Sequence, residues 1–352
     1  MRPEGEARLA DWMRRVVVEA DGDVRVERVQ WPGEPAAGQA RVRPRLVGIC
    51  GSDLHARAGT HPFIELPYRP GHEVVGVVEA VGAGVDGLAV NDRVVVEPNL
   101  VCGRCRQCRD GRYNICRELA VFGCQTAGGM AEAFLVAADR LHRLPDGMSD
   151  ELGALVEPLA TPVHAVRKAD VGPGGRVAVL GAGPIGLLVL VAARVAGAEV
   201  VVVTDVLASK LDRARGLGAD AVLDATDPGL LEDARAALGE GGADVVFDCV
   251  AARASMAQAV ELVDKGGVVT VVGVPTGPTT VPLHLVQDRE ISVIGSLMYT
   301  GADMRRAIEL LDTGVVAAHD LVTATFPLDG AAEAFAAGAD PEQVKVLVRV
   351  GP

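Results

Sequence analysis

Residues 176–186 read Arg-Val-Ala-Val-Leu-Gly-Ala-Gly-Pro-Ile-Gly, and this stretch decides the fold of the central part of the chain. Its first five residues predict a buried strand, and a turn with Gly181, Gly183 and Gly186 follows at once. A helix is predicted from about Pro184, because proline suits the first helical turn. Glycines in this order allow a tight turn, the approach of a pyrophosphate to backbone N–H groups and close packing of helix on strand. The stretch therefore predicts a dinucleotide-binding βαβ unit.

A carboxylate follows at the distance that such a unit requires. Asp205 ends the next predicted strand, 19 residues beyond Gly186. There it can accept hydrogen bonds from both hydroxyls of an adenosine ribose, and it would repel a 2′-phosphate. We therefore predict NAD as the cofactor in preference to NADP. The alternative, a glycine turn that binds nothing, does not explain the position of Asp205.

The flanking patterns set the domain organisation. Strands and helices alternate from Pro173 to Leu297, which predicts a doubly wound parallel sheet. Short Val-rich runs with Gly and Pro breaks from Val16 to Leu46 indicate antiparallel strands, and a second β-rich stretch runs from Val74 to Val96. The end of the chain, Val344 to Val350, resembles this first part of the chain. We predict an α/β protein with two domains. A β-rich domain takes residues 1–164 and 301–352, and a nucleotide-binding domain takes 165–300.

Composition limits the classes of partner. The chain has 352 residues, enough for two hydrophobic cores, and its 49% hydrophobic content suits a buried parallel sheet. A net charge of −13 would repel phosphates, so we expect no nucleic acid and no membrane surface as partner. The longest apolar runs, such as Ile185 to Val195, are too short to span a bilayer, and no export segment is visible. We expect a cytoplasmic protein.

Four of the seven cysteines lie in one short loop, spaced Cys102-x2-Cys105-x2-Cys108-x7-Cys116. A lobe of about residues 98–118 has little apolar material to fold around, and tetrahedral zinc can replace a core. Thiolates would occupy all four positions, so this zinc is predicted to be structural. Two disulfides or an iron–sulfur cluster are the alternatives, and the spacing and the expected reducing compartment argue against both.

A second set of metal-binding residue types is spread more widely. Cys50 and His72 offer the sulfur and nitrogen donors of a catalytic zinc, which needs few protein ligands and one open position. Alone, a cysteine is more often a small buried hydrophobe and a histidine a satisfied polar residue. Glu157 lies in an otherwise apolar run, where an acid is costly to bury unless it is paired or bound to metal. Together these residues predict a catalytic metal.

Gly71-His72-Glu73, the cysteine lobe, Glu157-Pro158 and the Gly181–Gly186 turn, in this order, resemble the zinc-containing medium-chain dehydrogenases. The resemblance spans nearly the whole chain from about Met13, so residues 1–12 look like an extension. It implies a GroES-like catalytic domain interrupted by a Rossmann domain. Glu157, where other members carry a cysteine, resembles the branch of sorbitol, butanediol and threonine dehydrogenases. By this resemblance Cys50, His72 and either Glu73 or Glu157 hold the catalytic zinc with water and substrate.

Zinc in such a site is a Lewis acid that lowers the pKa of an alcohol, so that its hydride can pass to nicotinamide. We expect Ser52 and His55 to relay the proton to solvent, with a turn hydroxyl and a surface imidazole as the simpler alternatives. The resemblance also implies cofactor contacts. These come from Ile185, Asp205 and Lys210 on the pyrophosphate and adenosine side, and from Val272, Gly273, Val274, Ser296 and Leu297 beside the nicotinamide.

Three positions bear on the substrate. Sorbitol-type enzymes carry a tyrosine where this chain has Ala56 and an arginine where it has Met298, whereas Tyr299 is retained. Loss of two hydrogen-bonding side chains disfavours a long open-chain hexitol and favours a smaller or cyclic hydroxyl compound. The predicted reaction is hydride transfer between NAD and a secondary alcohol, which is a polyol, diol, cyclitol or hydroxy amino acid.

Two other functions suit the same fold. One is a zinc-free reductase of activated double bonds, and the other is a nucleotide-binding structural or regulatory protein without catalysis. The coincidence of Cys50, His72 and Glu157 argues against both, because neither needs metal ligands. The predicted partner is a small alcohol. The resemblance further implies a homodimer or homotetramer built through the nucleotide-binding sheets.

Overall fold

The structure, a computed structural model, describes residues 12–275 and 277–351. All but one residue of the predicted extension over 1–12 therefore lies outside the described residues. The described chain forms two compact units, one with the residues up to Glu157 and those from Ile308, the other with Pro158–Ala307. The predicted boundaries, 164/165 and 300/301, each lie seven residues from the observed divisions at 157/158 and 307/308. Both observed divisions fall inside a continuous helix, where composition gives no signal of a domain boundary.

Unit 1 begins with an antiparallel ribbon of β1 (Trp12–Val18) and β2 (Val24–Gln30). A long strand, β3 (Gln39–Ile49), leads directly into helix α1 (Gly51–Arg57). The elements that follow are β4 (Glu73–Val81), β5 (Arg93–Val96), β6 (Asn99–Leu100), α2 (Arg106–Arg109), β7 (Ala120–Val121), β8 (Phe134–Ala137), β9 (Leu141–Arg143) and α3 (Asp150–Gly153). Helix α4 (Val156–Lys168) begins in unit 1 and continues into unit 2.

Unit 2 is the predicted βαβ region. Its elements are β10 (Arg176–Leu180), α5 (Pro184–Ala196), β11 (Val200–Asp205), α6 (Ala208–Gly216), β12 (Ala221–Asp224), α7 (Leu230–Leu238), β13 (Ala243–Asp248), α8 (Arg253–Leu262), β14 (Val263–Val271), α9 (Leu283–Asp288), β15 (Ser292–Gly295) and α10 (Gly301–Asp312). The six strands are parallel in the order β12-β11-β10-β13-β14-β15. This is the Rossmann order, in which the chain runs outward in both directions from the centre of the sheet. The predicted fold class is confirmed.

The apolar run Gly267–Val274 predicts a strand that continues to Val274, but β14 ends at Val271. The backbone N–H groups of Val272 and Gly273 both donate to the carbonyl of Asp248, at 2.9 and 3.0 Å, so the chain turns there. A Cβ on Gly273 would lie 2.9 Å from the carbonyl carbon of Cys249. The turn therefore depends on a close approach of two backbones at the carboxyl edge of the sheet.

The chain then returns to unit 1 with α11 (Ala318–Leu321), β16 (Val322–Pro327), α12 (Ala331–Gly338) and β17 (Lys345–Arg349). Strand β17 pairs antiparallel with β3, which gives a seven-stranded sheet in the order β16-β17-β3-β4-β5-β9, with β8 also paired to β3. Val47, Val74, Val346 and Phe335 are among the buried residues of its core. Among the described residues, no helix combines the length and apolarity that crossing a bilayer requires.

Candidate active site

The four lobe cysteines converge on one point. The Sγ atoms of Cys105 and Cys108, and those of Cys116 and Cys102, lie 3.5 Å apart, and two further pairs lie 4.0 Å apart. Sulfurs bound to one tetrahedral zinc at 2.3 Å lie about 3.8 Å from each other. A disulfide requires about 2.05 Å, and all four thiols are free. The donor set therefore fits a single zinc ion and does not fit two disulfides.

Backbone N–H groups favour the thiolate form of two of these sulfurs, those of Cys105 and Cys116. The N–H groups of Cys102 and Glu118 each point at Cys116 Sγ from 3.3 Å. Burial raises the pKa of Cys116, but these donors more than compensate and lower it. The N–H of Arg117 contributes most to lowering the pKa of Cys105, to about 6. Burial instead raises the pKa of Cys108 to about 12. Because metals bind the thiolate, Cys105 and Cys116 are the two cysteines that the lobe itself prepares for metal binding.

A second group of donors comprises Cys50, His72 and Glu73, whose ligand atoms all lie within 4.8 Å of one another. Cys50 follows the last residue of β3 and precedes the first residue of α1, and Glu73 begins β4. The register of β3 on β4 pairs Gly48 with Glu73, which brings the two strand ends together. His72 and Glu73 are buried and Cys50 is half-buried. A set of sulfur, nitrogen and oxygen donors fits a catalytic zinc.

Glu73 has a second partner that sequence reasoning did not find. Lys345, the first residue of β17, places Nζ 2.6 and 2.7 Å from the two Glu73 carboxylate oxygens and 3.2 Å from the carbonyl of Ile49. Both side chains are at most 3% exposed. Burial lowers the pKa of Lys345, but Glu73 and the neighbouring negative groups outweigh it and raise the pKa. In the sequence, the local indication of this ion pair is a single lysine that stands between two buried valines.

The ring of His72 also lies beside two further side chains. Its Nδ1 lies 3.8 Å from Cys124 Sγ and 4.0 Å from Asp53 Oδ1. Asp53 is fully buried, and its carboxylate accepts the Cys50 N–H at 2.9 Å and the Tyr68 hydroxyl at 3.0 Å. Nδ1 thus faces protein groups, which leaves Nε2 as the nitrogen for a metal. Asp53, Tyr68 and Cys124 are absent from the predicted site, although Asp53 stands three residues after Cys50, where a helix-capping carboxylate is expected.

Glu157, the other predicted zinc ligand, is buried in the first turn of α4. The compact donor group comprises Cys50, His72 and Glu73 and does not include it. The charge of Glu157 nevertheless contributes to the raised pKa of Lys345. Of the two acids predicted as alternatives, the structure brings Glu73 to the other donors.

Helix α1 carries the predicted proton relay. Ser52 is half-buried and His55 is exposed, with its Nδ1 3.4 Å from the hydroxyl of Thr60. Three residues apart on a helix, the two side chains lie on one face. Ala56, predicted to border the substrate, is fully buried in the hydrophobic core of unit 1. Its methyl group therefore packs against protein.

The glycine turn has the geometry that a pyrophosphate needs. Gly181 adopts φ +94°, and a Cβ on Gly186 would lie 1.7 Å from the Gly181 carbonyl oxygen. A Cβ on Gly183 would meet nothing within 4 Å, so the backbone there is open to a ligand. Gly183 also caps α5, whose N-terminus favours an anion. Ile185 and Lys210 are both half-buried, on α5 and α6.

Asp205 ends β11 and is 9% exposed. Its Oδ2 accepts the N–H of Ala182 at 2.7 Å and its Oδ1 accepts the N–H of Leu207 at 3.0 Å. Each oxygen keeps a second lone pair for a ribose hydroxyl. Asp205 therefore supports the glycine turn as well as offering the predicted ribose contact.

The residues predicted beside the nicotinamide follow the carboxyl ends of β14 and β15, which are neighbours in the sheet. Val274 and Leu297 are about half exposed, Val272 and Tyr299 are buried, and Gly273, Ser296 and Met298 are intermediate. Met298 has φ +48°, a left-handed conformation that is unusual for a residue with a side chain. Ligands of Rossmann sheets bind outside this carboxyl edge.

Comparison with known proteins agrees with this arrangement. Residues 36–146 match the alcohol dehydrogenase GroES-like domain, and residues 184–313 match the zinc-binding dehydrogenase domain. L-idonate 5-dehydrogenase of Vitis vinifera is 35% identical over 335 residues, covering 92% of this chain and 89% of that protein. Sorbitol dehydrogenase of Homo sapiens is 36% identical over 346 residues, 96% of each chain. A zinc-binding dehydrogenase from Sinorhizobium meliloti, solved with NADP, is 34% identical with a TM-score of 0.90, covering 96% of this chain and 99% of that one.

The fold and the two donor groups thus define a zinc-dependent dehydrogenase that uses a nicotinamide cofactor. The chain belongs to the zinc-binding medium-chain alcohol dehydrogenase family, which confirms the resemblance found in the sequence.

Proposed function

We propose that the protein oxidises a secondary hydroxyl of a small polyol, diol or cyclic hydroxyl compound with NAD, using one catalytic and one structural zinc per chain. The observation that carries this proposal is the buried group of Cys50, His72 and Glu73, whose sulfur, nitrogen and oxygen donors lie within 4.8 Å of one another. The relatives named sorbitol and L-idonate 5-dehydrogenase support a polyhydroxylated substrate.

Each residue of the site has a distinct task in this proposal. Zinc, held by Cys50, His72 and Glu73 or Glu157, supplies Lewis acidity toward the substrate hydroxyl. Asp53 and Cys124 fix the ring of His72, and Lys345 neutralises Glu73. Ser52 receives the hydroxyl proton and passes it toward exposed His55 on the same helix face. Met298 stands where sorbitol-type enzymes carry an arginine, so we expect the substrate to meet fewer hydrogen-bonding groups than in those enzymes, with Tyr299 retained.

The preference for NAD rests on Asp205. A 2′-phosphate next to this carboxylate would be repelled, and the two following residues, Val206 and Leu207, carry no cation to offset the repulsion. The relative from Sinorhizobium meliloti was solved with NADP, so the choice of cofactor needs a direct measurement. We further propose a reducing compartment such as the cytoplasm, because all seven cysteines are free. Strand β15, at the edge of the parallel sheet, is the surface that we propose for a homodimer or homotetramer.

A substrate panel tests the reaction. Zinc-loaded protein is assayed for NADH formation with diols, open-chain polyols, cyclitols, aldonic acids and threonine. We expect a small or cyclic compound to exceed sorbitol in kcat/KM by about tenfold or more, which corresponds to about 1.4 kcal/mol. Two zinc ions per chain without any alcohol-dependent NADH formation would support the non-catalytic, nucleotide-binding alternative.

A matched pair of variants tests the cofactor. Asp205 and Asp224 occupy paired positions at the ends of β11 and β12, but the Asp224 carboxylate accepts hydrogen bonds from Thr226 in its own turn. Asp205→Asn is expected to lower kcat/KM for NAD by about tenfold or more, because hydrogen bonds to a charged acceptor contribute about 1.5–3 kcal/mol. Asp224→Asn should leave it unchanged. Equal kcat/KM for NAD and NADP in the wild type would contradict the preference.

A further inference from the structure

The segment between β15 and α10, residues 296–300, is fixed at both ends by the last turns of α4. Lys168 Nζ donates to the carbonyl of Gly295, the last residue of β15, at 2.5 Å. At the other end, Asp303 in the first turn of α10 faces His164 and Arg167. All of these residues belong to unit 2.

Asp303 is the centre of the second anchor. Its Oδ2 lies 2.9 Å from His164 Nδ1 and accepts the N–H and the hydroxyl of Thr300, both at 2.9 Å. Its Oδ1 accepts Arg167 Nε at 3.0 Å, and the carboxylate is 2% exposed. A buried carboxylate with this many donors is rigid, because losing any one of them leaves a buried polar group unsatisfied.

The segment that these anchors hold is strained. Met298 adopts φ +48° without being a glycine, which costs on the order of 1 kcal/mol and persists only where the surroundings enforce it. Tyr299, the next residue, is almost fully buried. The two anchors on either side hold the backbone in this strained conformation. The strain indicates that the shape of this turn serves a purpose beyond chain reversal.

The position of the turn in the sheet indicates that purpose. In the Rossmann order the adenosine half of a dinucleotide lies toward β11, where Asp205 is, and the nicotinamide half lies over the other half of the sheet. Ser296–Thr300 follows the carboxyl end of β15 in that half. Ser296 Oγ is buried and has no hydrogen-bond partner among the described residues, as expected of a group that awaits a ligand.

We propose that Asp303 is a positioning residue that, through Thr300 and the end of α4, holds the turn Ser296–Thr300 in the shape that receives the nicotinamide end of the cofactor. This inference rests on the proposed use of a nicotinamide dinucleotide. It assigns to Asp303 an effect on binding of the nicotinamide half of the cofactor and none on binding of the adenosine half.

Binding of two related ligands tests the inference. NADH and ADP-ribose share the adenosine and the pyrophosphate, and only NADH carries nicotinamide. In zinc-loaded Asp303→Asn we expect the Kd for NADH to rise by about tenfold while the Kd for ADP-ribose changes by less than about twofold. Asp244→Asn is the matched control, because Asp244 pairs with Arg176 at the opposite, amino edge of the same sheet. It should change neither Kd.

Equal changes in both Kd values, or no change in either, would overturn the inference. If Asp303→Asn does not fold, Thr300→Val is tested in its place, because it removes the hydroxyl bond to Asp303. The change in its Kd for NADH is again compared with the change in its Kd for ADP-ribose. Wild-type protein that binds ADP-ribose and NADH equally would also contradict the role of the turn. Wild-type protein that binds neither would instead overturn the proposed function itself.

Discussion

Lys345 and Glu73 form an ion pair inside unit 1, with Nζ 2.6 and 2.7 Å from the two carboxylate oxygens, although 272 positions separate them in the chain. The same carboxylate belongs to the donor group of the proposed catalytic zinc. With Glu73 as the carboxylate ligand of the proposed zinc, it would lie between two cationic partners, the ammonium of Lys345 and the metal ion. The charge of the site depends on both.

Lys345→Met is expected to lower the free energy of unfolding by about 3–5 kcal/mol when the catalytic metal is absent, because it leaves Glu73 buried and unpaired. The loss should be smaller in zinc-loaded protein, since the metal ion then offsets the carboxylate. Urea unfolding of Lys345→Met in the zinc-loaded wild-type background and in a Cys50→Ser background measures both values. The double variant Lys345→Met/Glu73→Gln should recover part of the loss. Identical losses in the two backgrounds would show that zinc and Lys345 do not share Glu73.

Gly48→Ala should displace Glu73, because a Cβ there would lie 1.9 Å from Glu73 Oε2. Overpacking of this kind costs about 1–3 kcal/mol, and the displaced carboxylate should also weaken zinc binding at Cys50 and His72. Thermal unfolding and zinc content are the measurements. Gly51→Ala, three residues away, would meet nothing within 4 Å and serves as the control. The predicted clash is ruled out if the two variants melt alike.

Two cysteine variants should separate the metals. Cys50→Ser is expected to lose NAD reduction and one zinc while its melting temperature stays near the wild-type value. Cys108→Ser should lose the other zinc, lower the melting temperature and expose the lobe to proteolysis, because thiolate–zinc bonds replace a core there. Zinc content, unfolding and limited proteolysis of both variants test this. Loss of both ions in either variant would mean that the two sites are not independent.

The His164–Arg167–Asp303 cluster should make stability depend on pH in the acid range. Hydrogen bonds from His164 and Arg167 outweigh burial and hold the pKa of Asp303 well below its ordinary value of 3.8. A depressed pKa stabilises the folded state at pH values above the unfolded pKa, and this contribution is lost as the pH falls toward the folded pKa. Asp303→Asn should be less stable than wild type by about 2–4 kcal/mol at pH 7.

Denaturation curves from pH 7 down to pH 3 measure that difference. It should stay constant down to about pH 5 and shrink below about pH 4, where the unfolded wild-type carboxyl takes up its proton. Asp244→Asn, whose wild-type partner is Arg176, gives a reference for a more exposed pair. A difference that grows on acidification would contradict the assigned direction.

The features that the sequence predicts well are local. The glycine turn, the end of β11 at Asp205 and the four-cysteine lobe each depend on residues within a short stretch, and spacing alone sets their geometry. Cys50 and His72 also follow from residue type and order. The ion pair of Glu73 with Lys345 does not, because the antiparallel pairing of β17 with β3 brings Lys345 to the site.

Features that depend on tertiary contact escaped prediction for the same reason. The end of β14 is set by hydrogen bonds to the carbonyl of Asp248. The divisions between the two units fall within continuous helices, where the sequence carries no signal of a boundary. Asp53 and Cys124 lie beside His72, and Tyr68 donates to Asp53, so three separate segments meet there. No periodic pattern in the sequence indicates that these three segments come together in the fold.

The pairing of β17 with β3 has a consequence for synthesis on the ribosome. The strands β3 and β4 are translated long before β17, and all of unit 2 emerges in between. Unit 2 is continuous and can fold as it appears, whereas β3, which can already pair with β4 and β8, lacks its β17 neighbour until translation has passed Arg349. Until then Glu73 has no ammonium partner. The nascent chain therefore completes its cofactor domain first and its metal-binding domain last, and in the interval one edge of β3 is open to pairing with other chains.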